Sequence, residues 1–241
     1  MQSNITTVGT YSLPAAMEFG AKTGFAKLGF LIAVHLPITM INILAVAICK
    51  ETFGPYVAAL LTMPLVGGYT AIILGLVDGR NPQFSELFSK ASIFWKYLLL
   101  NICVNFCIIV GMIFLLGPGI FAAILFAFVL FCMTEDNLGP IEAMKRSAEL
   151  GKGYRWQILG LFFMTILFAI VLGLAGALII GLPGYFIAQS MHLDMKAAMH
   201  LFMPIIMMPV LIITQLMVAH SYRQLTVLKS VAGPQIAPEF S

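Results

Sequence analysis

The chain has 241 residues, only 10% of them charged, and a mean hydropathy of +1.00. Soluble domains run nearer about 25% charged, so composition alone excludes an ordinary soluble enzyme or binding module. The net charge is +3, and no basic face of the kind that reads nucleic acid is visible. No segment outside the apolar stretches is long enough to build a soluble core of its own.

In chain order, Met1 to Tyr11 carry no Lys or Arg and no apolar core. They do not read as a cleavable signal peptide, so the first membrane helix is expected to act as the targeting signal. Pro14 to Phe25 form a weak amphipathic segment rich in Gly and Ala. Five stretches then contain no Asp, Glu, Lys or Arg: 28–49, 52–77, 97–134, 156–193 and 197–222. About 20 apolar residues cross a hydrocarbon core of roughly 30 Å. The expected fold is therefore an all-α, polytopic membrane bundle of six transmembrane helices in a single domain over 1–229, with 230–241 a disordered tail. The first two spans are 28–49 and 55–77. The 97–134 stretch is too long for one span and is broken by Gly117-Pro118-Gly119, giving a hairpin of 97–116 and 119–133 with a short fourth helix. The fifth and sixth spans are 156–180 and 201–222. Between them, 183–200 carries Gln189, His192, Asp194, Lys196 and His200. A mid-bilayer Asp or Lys costs roughly 2.5–3.5 kcal/mol on insertion scales, so this segment is expected to be re-entrant or surface-lying.

Six spans place Lys22, Lys27, Arg80, Lys90, Lys96, Lys145, Arg146, Lys152, Arg155, Arg223 and Lys229 on one side, and Lys50 and Lys196 on the other. Basic residues collect in cytoplasmic loops. The expected location is thus the bacterial inner membrane, multi-pass, with both termini cytoplasmic.

Two loops on the basic side have helical signals. In 82–93, Asn81 can cap, Pro82 suits the first helical position, and Phe84, Leu87, Phe88 and Ala91 recur at i, i+3, i+4, i+7. In 139–150, Ile141, Met144 and Ala148 share a face, with Glu142–Arg146 and Lys145–Glu149 on the polar side. Both are expected to lie at the inner interface, followed by the anchors Trp95, Lys96, Tyr97 and Tyr154, Arg155, Trp156. Three Gly/Pro turns, at Gly54-Pro55, Gly117-Pro118-Gly119 and Pro183-Gly184, allow a threefold repeat in which each unit is an amphipathic segment, a span, a turn and a returning span.

Chemistry-bearing motifs are sparse. No Ser/His/Asp order, HExxH motif or phosphate loop occurs. Cys49, Cys103, Cys107 and Cys132 have no metal-ligand spacing and read as small hydrophobes. No catalytic residue, cofactor or metal is expected. The spans lack any mid-depth acid, Lys or Arg, which argues against an ion-coupled transporter. A milder candidate is an intramembrane polar seam of His35, Thr39 and Asn42 on the first span with Asn101 and Asn105 on the third. Gln215 and His220 lie on the sixth, with His220 expected near the inner interface and solvated. Glu135 and Asp136 end the fourth span and read as helix-end or capping residues ahead of 139–150, or else as a paired-carboxylate acid–base site.

Certain segments look familiar. They are Leu116-Gly117-Pro118-Gly119-Ile120, then Glu135-Asp136-Asn137-Leu138-Gly139-Pro140-Ile141-Glu142-Ala143 with Arg146-Ser147, Leu150, Lys152, Gly153 and Trp156, and finally Tyr222-Arg223-Gln224-Leu225. Over about residues 80–228 the chain resembles a bacterial family of uncharacterised six-span inner-membrane proteins. It is similar too to the membrane domain fused to some glycerophosphodiester phosphodiesterases. The resemblance implies a fold and a compartment, and no reaction, because this chain carries no phosphodiesterase domain.

Two functions remain open. One is a non-catalytic scaffold, accessory subunit or envelope-homeostasis component. The other is a permease-like or lipid-handling protein that uses the polar seam. Partners are expected to be membrane lipids, with other membrane subunits or a second copy of the chain, and no nucleic acid.

Overall fold

A computed structural model describes residues 10–114, 116–190 and 195–231, without the side chains of 50, 51, 116, 188 and 195–202. The described residues are helical with no strands, and six helices are long and apolar enough to cross a membrane. His192 and Asp194, the side chains of Lys196 and His200, and the tail from 232 onward lie outside the described set.

Ser12 caps the first helix, α1 (Leu13–Ala26), by accepting from the Ala15 N–H, and Pro14 sits in its first turn. The helix α2 (Leu28–Val77) holds the first two spans, Leu28–Cys49 and Thr52–Val77. It doubles back on itself: a Cβ at Gly54 would lie 2.5 Å from the Val46 Cα. Eight residues of straight helix would separate those positions by roughly 12 Å. Edge-to-face packing of His35 on Tyr69, with ring centroids 5.3 Å apart, confirms antiparallel arms.

The loop after α2 departs from expectation. Residues 82–93 form two 3₁₀ turns, Phe84–Phe88 and Ala91–Ile93, and no α-helix. Gln83, not Asn81, is the cap, in a capping box with Glu86. Nor does the segment simply lie on a surface. Leu87 is fully buried, and its carbonyl oxygen stands 1.9 Å from where a Gly68 Cβ would be. Leu87 is plugged into the returning arm of α2, which the bare backbone at Gly68 permits.

The hairpin that follows comprises α3 (Phe94–Phe114), α4 (Leu116–Leu125) and α5 (Val129–Asp136). Gly117-Pro118-Gly119 sits in the first turn of the returning helix, where Pro is tolerated, and a Cβ at Gly111 would lie 2.9 Å from Gly119. The fourth span is broken at 126–128. Ser147 holds that break: its hydroxyl donates to the Leu125 carbonyl (2.7 Å) and accepts from the Phe128 N–H (3.2 Å). Consequently α6 (Pro140–Leu150) turns Ala143, Ser147 and Leu150 inward. Ile141, on the apolar face expected to lie against the membrane, is exposed and takes no part in this packing. A serine that satisfies two backbone groups outranks an isoleucine for the buried position.

The chain then runs from α7 (Arg155–Gly176) through a π-helical turn at Ala177–Gly181 into α8 (Leu182–Ser190). Pro183-Gly184 therefore lies inside a helix and makes no hairpin turn, so the third unit departs from the repeat. The fifth apolar segment extends to Ile187. The last helix, α9 (Met195–Val231), packs against α1, α2, α6, α7 and α8.

The three hairpins share one plan. The returning spans 52–77, 117–136 and 203–231 are more buried in their apolar stretches than the outgoing spans Leu28–Cys49, Phe84–Phe114 and Arg155–Ile187. Returning helices thus form the core and outgoing helices face outward. Around α9 every side is covered from Ile212 to Leu225 except at Thr214, Gln215, Val218 and Arg223. Packing is tightest at the end where Asp78, Glu135 and Arg223 meet and loosest at the opposite end, where Ile48, Tyr56, Ile113 and Ile179 are exposed.

Gly68→Ala should destabilise the fold by about 1–3 kcal/mol, because a new methyl meets backbone that cannot swing aside. Gly29→Ala, with nothing within 4 Å, should be neutral or slightly stabilising. Unfolding titrations in mixed micelles compare the two, and equal stabilities would contradict the Leu87 plug.

Candidate functional site

The five residues of the polar seam do not assemble. Thr39 is buried, His35 is half-buried beside Tyr69, and Asn42 donates to the Ile38 carbonyl of its own helix (2.8 Å). The His35 Nδ1 and Tyr69 hydroxyl are buried without a hydrogen-bond partner among the described residues. Asn101 and Asn105 lie elsewhere, exposed on α3, with the Asn105 Nδ2 bonded to the Asn101 carbonyl (2.8 Å) and Oδ1 (2.9 Å). The reason is the choice of inward face on α3. Tyr97 and Leu100 are the buried residues of that helix, and this turns Asn101 and Asn105 away. Tyr97 is thus no interfacial anchor: its ring rests on Gly67 and its hydroxyl meets Thr134 Oγ1 at 3.1 Å. Trp95 and Trp156 are exposed, and Lys96 reaches the Asn137 carbonyl (3.3 Å). Tyr154 is half-buried near Tyr11, and Arg155 stands 4.8 Å over the Phe121 ring.

A cleft of about 390 Å³ opens between the bend of α2 and the start of α9, lined by Asn42, Val46, Pro55, Met203, Pro204 and Met207. Its size is that of a small-ligand pocket, and among the described lining residues Asn42 is the one polar side chain. Pro55 lies on its wall just after the bend.

The strongest polar constellation is one that sequence reasoning missed. Arg223 on α9 makes a bidentate pair with Asp78 at the end of α2, Nε to Oδ1 and Nη2 to Oδ2, both 2.7 Å. Its Nη1 donates to Glu135 Oε1 at the end of α5, and the Tyr222 hydroxyl donates to Glu135 Oε2 (2.6 Å). Tyr222 in turn stacks on Phe131, centroids 5.5 Å apart. Arg223 is 18% exposed and its two partners about a third, 31% and 32%. All four carboxylate oxygens are engaged by cationic or phenolic donors, so neither acid is a free general base. Glu135 is also not a cap for α6, whose N-cap is Gly139; Asp136 is the last residue of α5 and Asn137 ends it in the left-handed region (φ 51°). A signal for this clasp did exist in the sequence. Asp78, Glu135 and Arg223 each directly follow a charge-free stretch.

A second network locks α1 to α9. Gln224 accepts from the Ser12 N–H (2.8 Å), donates to the Ser12 carbonyl (3.1 Å) and meets His220 Nδ1 at 3.0 Å. Tyr11 donates to Ser221 (3.1 Å), and burial raises its phenol pKa, an effect the Ser221 hydrogen bond partly offsets. Phe19 stacks on His220 at 4.5 Å. His220 is therefore buried rather than solvated, whereas Gln215 is exposed. The Gly/Ala character of α1 has its explanation here. Ala16, Gly20 and Gly24 form its buried face, and a Cβ on Gly20 would lie 2.4 Å from the Met217 side chain. Small residues at four-residue spacing allow this close approach.

No cluster of three metal-binding side chains occurs among the described residues, and all four cysteines are free. No protein-family model matches the chain, and no solved structure matches it. Fold and site together define a multi-pass α-helical membrane protein.

Arg223→Gln should cost about 2–3 kcal/mol in detergent unfolding, since it leaves two carboxylates without their shared cation. Arg223→Lys should recover less than half, because an ammonium cannot make the bidentate contact. Adding Asp78→Asn to Arg223→Gln should cost less than the sum of the single changes. Unchanged stability in Arg223→Gln would mean that the clasp does not hold the spans together.

Proposed function

We propose that the protein is a non-catalytic component of the bacterial inner membrane, a scaffold or accessory subunit of the envelope. The observation that carries this reading is the use made of its polar groups. Arg223, Asp78, Glu135 and Tyr222 bind one another, and Ser12, His220 and Gln224 do the same. Their hydrogen-bonding capacity is committed to joining helices, which leaves little for a substrate. The broad apolar outer faces of α3 and α7 suit contacts with lipid or other subunits. The resemblance to six-span inner-membrane proteins and the excess of basic residues on one side support that compartment, with both termini in the cytoplasm.

A second reading, lipid handling, has one observation in its favour: the cleft at Asn42, apolar enough for an acyl chain and bordered by the bend of α2 and Pro204. The purified chain in phospholipid vesicles separates the two. A scaffold should leave the transbilayer movement of a fluorescent phospholipid, and the leakage of small polar solutes, at the rate of protein-free vesicles. Faster lipid movement that Asn42→Leu abolishes would establish lipid handling and defeat the scaffold reading.

Orientation has its own test. In a background lacking the native cysteines, Ser85→Cys and Lys152→Cys should resist an impermeant thiol reagent in intact cells, while Thr52→Cys reacts. The reverse pattern would invert the topology.

A further inference from the structure

The outward face of α3 holds a polar pair that the fold itself does not satisfy. Among the described residues, the hydroxyls of Thr62, Thr70, Thr134, Thr165 and Thr214 all donate to a carbonyl three or four residues back on their own helix. They need no neighbour. Asn101 and Asn105 differ. Two amides offer four N–H donors and two side-chain carbonyl oxygens. The structure engages only the Asn105 Nδ2, with the Asn101 carbonyl and Oδ1. The Asn101 Nδ2 and the Asn105 Oδ1 have no described partner, and both residues are exposed.

Depth makes this costly. The 21 residues of α3 span roughly 31 Å, which places Asn101 and Asn105 roughly 10 and 16 Å along it. Hydrocarbon at that depth supplies neither donor nor acceptor. The residues alongside, Ile102, Phe106 and Ile109, are all more than half exposed and offer apolar packing surface. Of the six spans, this one is the least covered by the rest of the chain.

We propose that α3 pairs with α3 of a second copy of this chain through Asn101 and Asn105. Two copies inserted in the same orientation bring identical residues to identical depth about a twofold axis along the membrane normal. The Asn101 Nδ2 of one copy then lies at the depth of the Asn101 Oδ1 of the other, which accepts only one hydrogen bond within its own helix and keeps a second lone pair, so the face is self-complementary in hydrogen bonding. Ester carbonyls of lipid lie at the membrane boundary and do not reach Asn105. The pairing is independent of the scaffold role proposed above, since a lipid-handling protein could dimerise through the same face.

The test uses the full chain in phosphatidylethanolamine–phosphatidylglycerol vesicles, with donor and acceptor fluorophores on a C-terminal tag. Energy transfer between copies should fall as lipid is added. Replacing both residues, N101L with N105L, should weaken association about tenfold, as expected for the loss of two interhelical amide contacts. The double Gln variant keeps the amides and should associate nearly as the parent does. The single variants N101L and N105L should each show part of the loss, and all variants should unfold like the parent, because the face touches nothing else in the monomer. A parent chain that stays monomeric at every lipid ratio would overturn the proposal and leave lipid or a different subunit as the amides' partner. Association unchanged in the double Leu variant would overturn it as well.

Discussion

Three spans meet at one guanidinium. Arg223 of α9 joins the ends of α2 and α5, and much of the architecture follows from that convergence. Charge is excluded from the hydrocarbon, so charged groups of either sign gather where the spans emerge. There they can pair with the two carboxylates still about a third exposed, avoiding the desolvation penalty of a fully buried pair. The bidentate geometry sets the distance and angle between returning helices as well as attracting them. The core is accordingly densest at this end. The hairpin tips, which have no comparable polar tie, carry the exposed apolar residues.

The second constraint is steric. In a membrane, close helix approach must come from shape, because lipid tails are as apolar as leucine. Here small residues supply the shape: Gly20 and Gly24 admit α9 to α1, Gly67 admits the Tyr97 ring, and Gly68 admits the Leu87 carbonyl. The loops 82–93 and 139–150 are drawn into the bundle by such fits, and by the Ser147 hydroxyl that satisfies the break between α4 and α5. They behave as plugs and braces for the hairpins. The order of a preceding segment, an exposed outgoing span and a buried returning span recurs three times, although the third unit, continuous through Pro183-Gly184, does not reproduce the turn of the other two.

The clasp also links two of the segments on which the resemblance rests. Glu135 opens one and Tyr222-Arg223 opens the other, and the fold places them in hydrogen-bond contact. Their joint role in this chain is to fasten the fourth span to the sixth. Catalysis is a poorer reading, since both oxygens of each carboxylate are taken.

Sequence alone determined the fold class and the number of apolar helices, because hydrocarbon tolerates only helices with their backbone satisfied and few charges. The absence of charge from 28–49, 52–77, 97–134, 156–193 and 197–222 carries that message without any knowledge of packing. Tertiary structure alone decided which face of each helix turned inward. Hydropathy cannot rank faces on a helix that is apolar all round, so the seam failed: Tyr97 and Leu100 took the inner face of α3, and Asn101 and Asn105 were left outside. The same reason hid the buried roles of Ser147, His220 and Gln224, polar side chains whose place depends on partners 4 to 212 residues away. Pairing of Arg223 with Asp78 and Glu135 was visible only as three charges at three span ends. Which ends meet is a matter of how the hairpins pack, and that is decided by contacts between helices, not by the composition of any one of them.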